Sequence, residues 1–239
     1  MLKSDHIMKN IILKIFNGDF KEGELLPGEI EIATEFNVSR TSVRTALQTI
    51  ANKGVISIVP KKGSIINKIE SWNWLDPEIL TFFSLEGISP VLLQHLLITR
   101  LIFEPNICAI SALTSTAEDL MKIEQGYLFM KQSIQENNRE LFIKGDKIFH
   151  SSIVNSCRNP FLSSLDAMLS TAMSISYNRT LEQKLTDSSV AVQLHGELFE
   201  AIRKRDAHTA RELAKELITN AITKILSDKE LLHLINNLH

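Results

Sequence analysis

Acidic residues are missing from one long stretch of this 239-residue chain: between Phe36 and Ile69 there is no Asp or Glu. Arg40, Arg44, Lys53, Lys61, Lys62 and Lys68 all fall inside it, yet the formal net charge of the whole chain is −2. The remainder is therefore acidic overall. Such asymmetry predicts one segment that faces a polyanion and another with a different task. Cysteine is scarce as well. Cys108 and Cys157 are spaced like neither a zinc knuckle nor a redox pair, and two buried thiols in a reducing compartment are expected. No apolar run at the start resembles a signal peptide, and no stretch reads as the ~18 apolar residues that cross a bilayer. A cytoplasmic chain with no membrane partner is the expectation. Low-complexity tracts and repeats are lacking too. Hydrophobic residues at 44% and charged residues at 23% are an ordinary globular balance, in a chain long enough for two domains.

Periodicity then divides the chain. Ile7, Ile11, Ile12 and Ile15 recur at helical spacing over 5–17. Gly18, Gly23 and Leu26-Pro27-Gly28 punctuate before a short helix over 29–36, marked by Ile30, Ile32, Ala33 and Phe36. Ser39 is a natural N-cap for the next helix, which runs to Asn52 with Val43, Leu47 and Ile50 inward. The β-branched runs 55–59 and 64–67 flank Pro60-Lys61-Lys62-Gly63 and predict a hairpin. A bridge over 70–90 holds Trp72, Trp74 and a short helical piece. Beyond it, helices are predicted over 90–113, 116–136, 139–156, 160–178, 183–204 and 206–227. Six or so antiparallel helices in a bundle are the natural packing of that series. The fold class is mostly α: an N-terminal winged helix-turn-helix over 1–68, a linker with a short helix over 69–89, and an all-helical effector-binding and dimerisation bundle over 90–239.

The first unit carries a chemistry. The second helix of a helix-turn-helix enters the major groove by its N-terminal residues. Here those are Ser39, Arg40, Thr41, Ser42 and Arg44: hydroxyls suited to phosphate oxygens, and arginines that can pair bidentately with guanine. Lys61-Lys62-Gly63 forms a cationic hairpin tip that can approach the backbone or minor groove.

In the second unit, Arg100 and Glu104 are four residues apart, as are Asp146 and His150, and His195 lies on a third helix. A carboxylate and an imidazole at i, i+4 share a helical face and can share a cation. They can equally form an internal ion pair, and His195 can be a hydrogen-bonded core histidine. A buried Arg100 needs a carboxylate partner: an acidic effector, Glu104 or Asp146. Arg179 is a second cationic candidate.

Two resemblances sharpen this. Gly23-Glu24-Leu25-Leu26-Pro27-Gly28-Glu29, Val38 to Leu47 and Lys62-Gly63 resemble the signature of the GntR family of regulators. That likeness implies that Ser39, Arg40, Thr41, Ser42 and Arg44 contact DNA, with Gly63 at the wing. Where one branch of the family carries a DNA-touching arginine, this chain has Ile30. Arg100 to Pro105, Asp146 to His150, Asn159-Pro160 and His195 to Ile202 resemble the FCD effector domain, the usual partner of this head in the FadR subfamily. With the Trp72 to Glu78 bridge, they look most like the branch governing sugar-acid operons such as that for D-galactonate. The resemblance implies a divalent metal, zinc or similar, held by Asp146, His150 and His195. The usual fourth ligand position is Leu217, which cannot bind a metal, and Asn220 lies one turn away. The metal can be held by three protein ligands, or absent with the imidazoles bonding the effector directly. Arg100, Glu104, Asp146, His150, His195, Arg179 and Asn220 are the effector-binding set.

The expected function is a DNA-binding transcriptional regulator, a repressor by family habit. A small carboxylate, a hexonate or hexuronate, would release it from its operator. A homodimer on a near-palindromic double-stranded operator is expected. Two alternatives are a regulator that senses the metal itself and a metal-dependent enzyme of the bundle. For the enzyme, no nucleophile or general base stands out.

Overall fold

The computed structural model describes residues 3–86, 89–180 and 188–226. The chain divides into two compact units, Met1–Glu86 and Gly87–His239.

In the first unit, α1 (Lys3–Phe16), α2 (Glu29–Glu35) and α3 (Arg40–Asn52) are followed by β1 (Ile56–Val59) and β2 (Gly63–Ile66). Ile7, Ile11, Ile32, Val43, Leu47 and Ile50 meet in the core, as the helical spacing requires. The strands pair antiparallel with Ile56 opposite Ile66 and Val59 opposite Gly63. Residues before α2 close the same ladder: Leu26 N–H donates to the Ser64 carbonyl at 2.8 Å and Ile66 N–H to the Glu24 carbonyl at 3.0 Å. Ile30 is 63% exposed, because the short α2 buries only Ile32 and turns Ile30 outward.

The bridge is tied to the end of α3. Gly54 takes a positive φ of 76°, and a Cβ there would lie 2.3 Å from the Ser71 carbonyl oxygen, so only glycine fits. Trp72 and Trp74 stack with centroids 5.9 Å apart. Lys53 Nζ donates to both Asp76 oxygens at 2.8 Å and lies 2.7 Å from Glu78 Oε2. Asp76 Oδ1 also accepts from the N–H groups of Glu78 and Ile79, capping α4 (Pro77–Glu86). Burial works against ionisation of Asp76, but Lys53 and the N–H donors outweigh it and hold the carboxyl below its ordinary value. A folded-state pKa below the unfolded one means stability present at neutral pH and lost as pH falls through the acid range. Asp76→Ala is therefore expected to cost about 1–2 kcal/mol at pH 7, with the difference from wild type shrinking below about pH 4. Both tryptophans of the chain lie in this unit, so urea unfolding read by their fluorescence measures it.

The second unit is helical: α5 (Pro90–Thr114), α6 (Ala117–Glu136), α7 (Arg139–Ser156), α8 (Pro160–Ser163), α9 (Asp166–Thr180), α10 (Ser189–Arg203) and α11 (Ala207–Ile225). Caps mark the starts. Thr116 and Asp119 form a capping box, Asn138 caps α7, and Asp206 accepts from the Thr209 N–H. α6 packs on α7 and α5 on α11. The helix expected over 160–178 is two. Asn159 caps a single turn, and the chain re-enters helix at Asp166 after a turn at Ser164 and Leu165, serine favouring turns over helix interiors. The start expected at 183 lies outside the described residues.

One expectation about length needs correcting. α5 is long and apolar enough to cross a membrane by length and composition. Half of its most apolar window is buried inside the protein, and it carries the buried ion pair of Arg100 and Glu104. A core helix passes the same test of length and hydropathy, because the interior of a bundle is also apolar.

Candidate functional site

The DNA-reading candidates occupy the first turn of α3 and the hairpin tip. Ser39 caps α3, its Oγ accepting from the Ser42 N–H at 3.1 Å and lying 2.9 Å from the Ser42 hydroxyl. Arg40, Thr41 and Arg44 are exposed, and Ser42 is half-buried. At the tip, Lys61, Lys62 and Gly63 are all exposed. Lys61 and Gly63 both take positive φ, 64° and 116°, which turns the strand back on itself. The two groups thus form an exposed surface of cations and hydroxyls within one unit.

Glu29 joins this surface unannounced by the acid-free stretch. Its Oε1 accepts from Arg44 Nε at 3.1 Å and its Oε2 from Arg44 Nη2 at 3.0 Å. Arg40 Nη2 stands 3.8 Å from the same Oε2. The hydrogen bond from Arg44, reinforced by both guanidinium charges, lowers the Glu29 pKa. The sequence shows Glu29 in the Leu-Pro-Gly-Glu turn, but nothing in its spacing points to an arginine on the next helix.

The second unit encloses a cavity of about 420 Å³. Successive turns of α5 present Arg100, Glu104 and Cys108 to it, and α7 presents Phe142, Asp146 and His150. α9 adds Tyr177, α10 adds His195, and α11 adds Leu217 and Asn220. Six of the seven effector-binding candidates therefore line one space. The seventh, Arg179, lies in α9 with its side chain outside the described residues.

Arg100 Nε donates to Glu104 Oε1 at 2.6 Å, so the arginine already holds an internal carboxylate. Burial penalises its charge, but Glu104 more than offsets this and raises the guanidinium pKa. Glu104 Oε2 is 4.0 Å from His150 Nδ1. Past that ring, His195 Nε2 lies 3.3 Å from His150 Nε2 and 3.2 Å from Asp146 Oδ1. His150 Nε2 is 3.8 Å from the same oxygen. The His195 ring is set by its other nitrogen, 2.6 Å from the Ala191 carbonyl. The carbonyl can only accept, so that contact places a proton on Nδ1 and turns Nε2 toward Asp146. Phe149, fully buried, stands edge-on to both imidazoles.

The donor set fits a divalent cation. Two ligand atoms each about 2.1 Å from a tetrahedral ion are about 3.4 Å apart, and the three separations here bracket that value. Two imidazole nitrogens and a carboxylate oxygen converging in a buried place need a cation or a proton between them. Burial opposes the charge of Asp146, yet His150, His195 and Tyr177 together hold its carboxyl well below the usual range. Burial likewise lowers the His150 pKa, against the pull of Asp146 and Glu104, which favours the neutral, ligating form.

Tyr177 went unassigned in the sequence. Its hydroxyl donates to Asp146 Oδ2, orienting the carboxylate so that Oδ1 faces the imidazoles. The two residues are on different helices, so no local spacing could have paired them.

Comparison with known proteins agrees with both units. The family of bacterial regulatory proteins called gntR matches residues 3–66, and the FCD domain matches residues 95–220. YieP of Escherichia coli K12, an uncharacterized HTH-type transcriptional regulator, is 29% identical over 212 residues, covering 89% of this chain and 90% of its own. The galactonate operon transcriptional repressor of the same organism is 27% identical over 224 residues, covering 93% and 96%. The transcriptional repressor NanR of Klebsiella aerogenes is 28% identical over 215 residues, covering 87% and 79%. Among solved structures, Lar of Listeria monocytogenes superposes with a TM-score of 0.64 at 17% identity, covering 94% of this chain and 97% of that one. That likeness concerns the fold.

Proposed function

Because the chain belongs to the GntR family of bacterial regulatory proteins and carries an FCD domain behind its DNA-binding head, we propose that it is a transcriptional repressor released from its operator by a small carboxylate bound in the 420 Å³ cavity. The observation that carries this reading is the buried cluster of Asp146, His150 and His195 opening into that cavity beside Arg100. Asp146, His150 and His195 would hold a divalent ion, and the ion would supply a Lewis-acidic anchor for the carboxylate of the effector. Glu104, held by Arg100, faces the far nitrogen of the His150 ring at 4.0 Å and helps orient that ring toward the cluster. Asn220, on the same wall, offers an amide to effector hydroxyls. A hexonate or hexuronate is the effector class we favour, since the galactonate operon repressor is a relative of nearly full length. Arg179 stays a second cationic candidate.

On the DNA side, Ser39, Arg40, Thr41, Ser42 and Arg44 read the major groove, and the Lys61 to Gly63 wing follows the backbone. A head this small reads few base pairs, so two copies on a near-palindromic operator are expected. The second unit supports a homodimer: α5 leaves Val91, Ile102, Phe103, Ile110 and Leu113 exposed, an apolar stripe suited to a second copy. Release works by population shift, the effector favouring the arrangement of heads that does not match the operator. Such a protein works in the cytoplasm. The comparisons are to regulators, and neither the enzyme nor the metal-sensing alternative finds support in them.

The test is a thermal-shift screen of hexonic and hexuronic acids, with and without zinc, followed by gel retardation on genomic fragments at ~150 mM salt. One acid is expected to raise the melting temperature by several degrees with metal present, and to free a fragment bound by two copies of the chain. If no acid stabilises the protein and none releases DNA, the cavity has been misread.

A further inference from the structure

Arg40 and Arg44 lie one turn apart on α3, so their like charges share a face. Two neighbouring guanidinium groups entering a groove are drawn to whichever phosphate is nearest, and phosphates carry no sequence information. Glu29 alters that balance. Its bidentate grip takes the Nε and Nη2 edge of Arg44, while its Oε2 also faces Arg40. The Nη1 hydrogens and the second Nη2 hydrogen of Arg44 lie outside the grip, and they form the end-on fork that matches guanine O6 and N7. The grip also offsets one positive charge at the spot where phosphate attraction would otherwise dominate. Arg44 is 71% exposed and Glu29 29%, so the pair contributes little to folding. Its place on the reading face calls for another use.

We infer that Glu29 is a specificity-determining residue, holding Arg44 for end-on reading of a base edge and keeping it from acting as an indiscriminate phosphate clamp. The inference rests on the reading of α3 as the groove helix. It also gives a role to the residue beside Ile30. Ile30 brings no cation to this surface, so Arg40 and Arg44 are the arginines whose charge Glu29 must balance.

Selection of binding sites from a random duplex pool tests it, using the full chain as wild type, Glu29→Gln and Glu29→Asp. Wild type should enrich a motif. Glu29→Gln, which keeps the shape but drops the charge, should enrich the same motif with one position per half-site relaxed. Its affinity for a scrambled duplex should rise, its discrimination between enriched and scrambled duplexes should fall about tenfold, and its salt dependence should steepen by about one counterion per freed arginine. Glu29→Asp, which keeps the charge on a shorter arm, should relax the same position less. On an Arg44→Ala background, Glu29→Gln should change nothing further, since Glu29 acts through that arginine. Tryptophan-detected unfolding should be unmoved. A variant with the wild-type motif and discrimination overturns the inference while leaving the DNA reading intact. Equal loss on both duplexes together with a lower unfolding midpoint overturns it in favour of a folding role. A wild type that enriches no motif removes the DNA reading and this inference with it.

Discussion

Gly126→Ala is expected to lower the melting temperature of the second unit by roughly 4–8 °C, against the gain that alanine normally brings to a helix. The expectation follows from how α6 and α7 cross. A Cβ on Gly126 would lie 2.5 Å from the Phe149 backbone nitrogen, 2.7 Å from the Gly145 carbonyl oxygen and 2.8 Å from the Phe149 Cα. All three are backbone atoms, so no side chain can swing aside. Gly145 faces the same crossing, where its own Cβ would meet the Gly126 carbonyl oxygen at 2.7 Å. The helices must part, and the fully buried Phe149 and Met130 lose contacts when they do. Replacing glycine by alanine in a helix interior contributes about 1 kcal/mol of intrinsic propensity. Overpacking a rigid contact costs about 1–3 kcal/mol and sometimes more. With backbone on both sides the upper end applies, and a net loss of about 2 kcal/mol gives the stated shift for a domain of this size. Gly196→Ala is the control. Its Cβ would meet the Tyr127 ring, a side chain able to move, and the loss should be smaller. Thermal unfolding by circular dichroism decides the matter, and a Gly126→Ala protein as stable as wild type would show that the helices can slide apart freely.

That crossing illustrates what the sequence could and could not tell. Local spacing was legible. Arg100 with Glu104, and Asp146 with His150, were readable as helical neighbours because four residues make about one turn, and both pairs do face one cavity. Caps were legible for the same reason: Ser39, Thr116 with Asp119, and Asp206 act within three residues of themselves. What crosses between helices was not. Tyr177 reaches Asp146 from a separate helix, and Glu29 reaches Arg44 across a turn, with no periodicity to join either pair. A two-turn helix such as α2 offers too few residues for its apolar marks to show which of them, Ile30 or Ile32, faces inward. α5 shows a third limit. Apolar composition reports burial without saying whether lipid or protein does the burying. The second unit's helix expected between 160 and 178 breaks at Ser164 and Leu165, where a lone serine's preference for turns is too weak a signal to stand out.

Asp146→Asn should reduce zinc affinity by at least a hundredfold, while operator binding by the head stays intact. Asp146 is the sole anionic member of the candidate ligand cluster, and its charge is what draws a divalent ion into a buried place against the cost of dehydrating it. Asparagine preserves volume and can still accept from Tyr177, so the change isolates charge from shape. A loss of a hundredfold corresponds to about 2.7 kcal/mol, modest for a ligand exchanged from carboxylate to amide. Tyr177→Phe removes only the bond that orients the carboxylate, and about a tenfold loss is expected, the low end for a group one step removed from a metal. Leu217→His runs the other way. Leu217 lines the same cavity, and a third imidazole there would convert an open three-ligand site into a closed one of the structural kind. Tighter zinc binding should then come with weaker response to the acid, because the position left for the effector's carboxylate has been filled. Calorimetric zinc titration of the four proteins orders them: Leu217→His, wild type, Tyr177→Phe, Asp146→Asn. If Asp146→Asn binds zinc as wild type does, the cluster is a hydrogen-bonded core and the carboxylate must be anchored by Arg100 and the imidazoles alone.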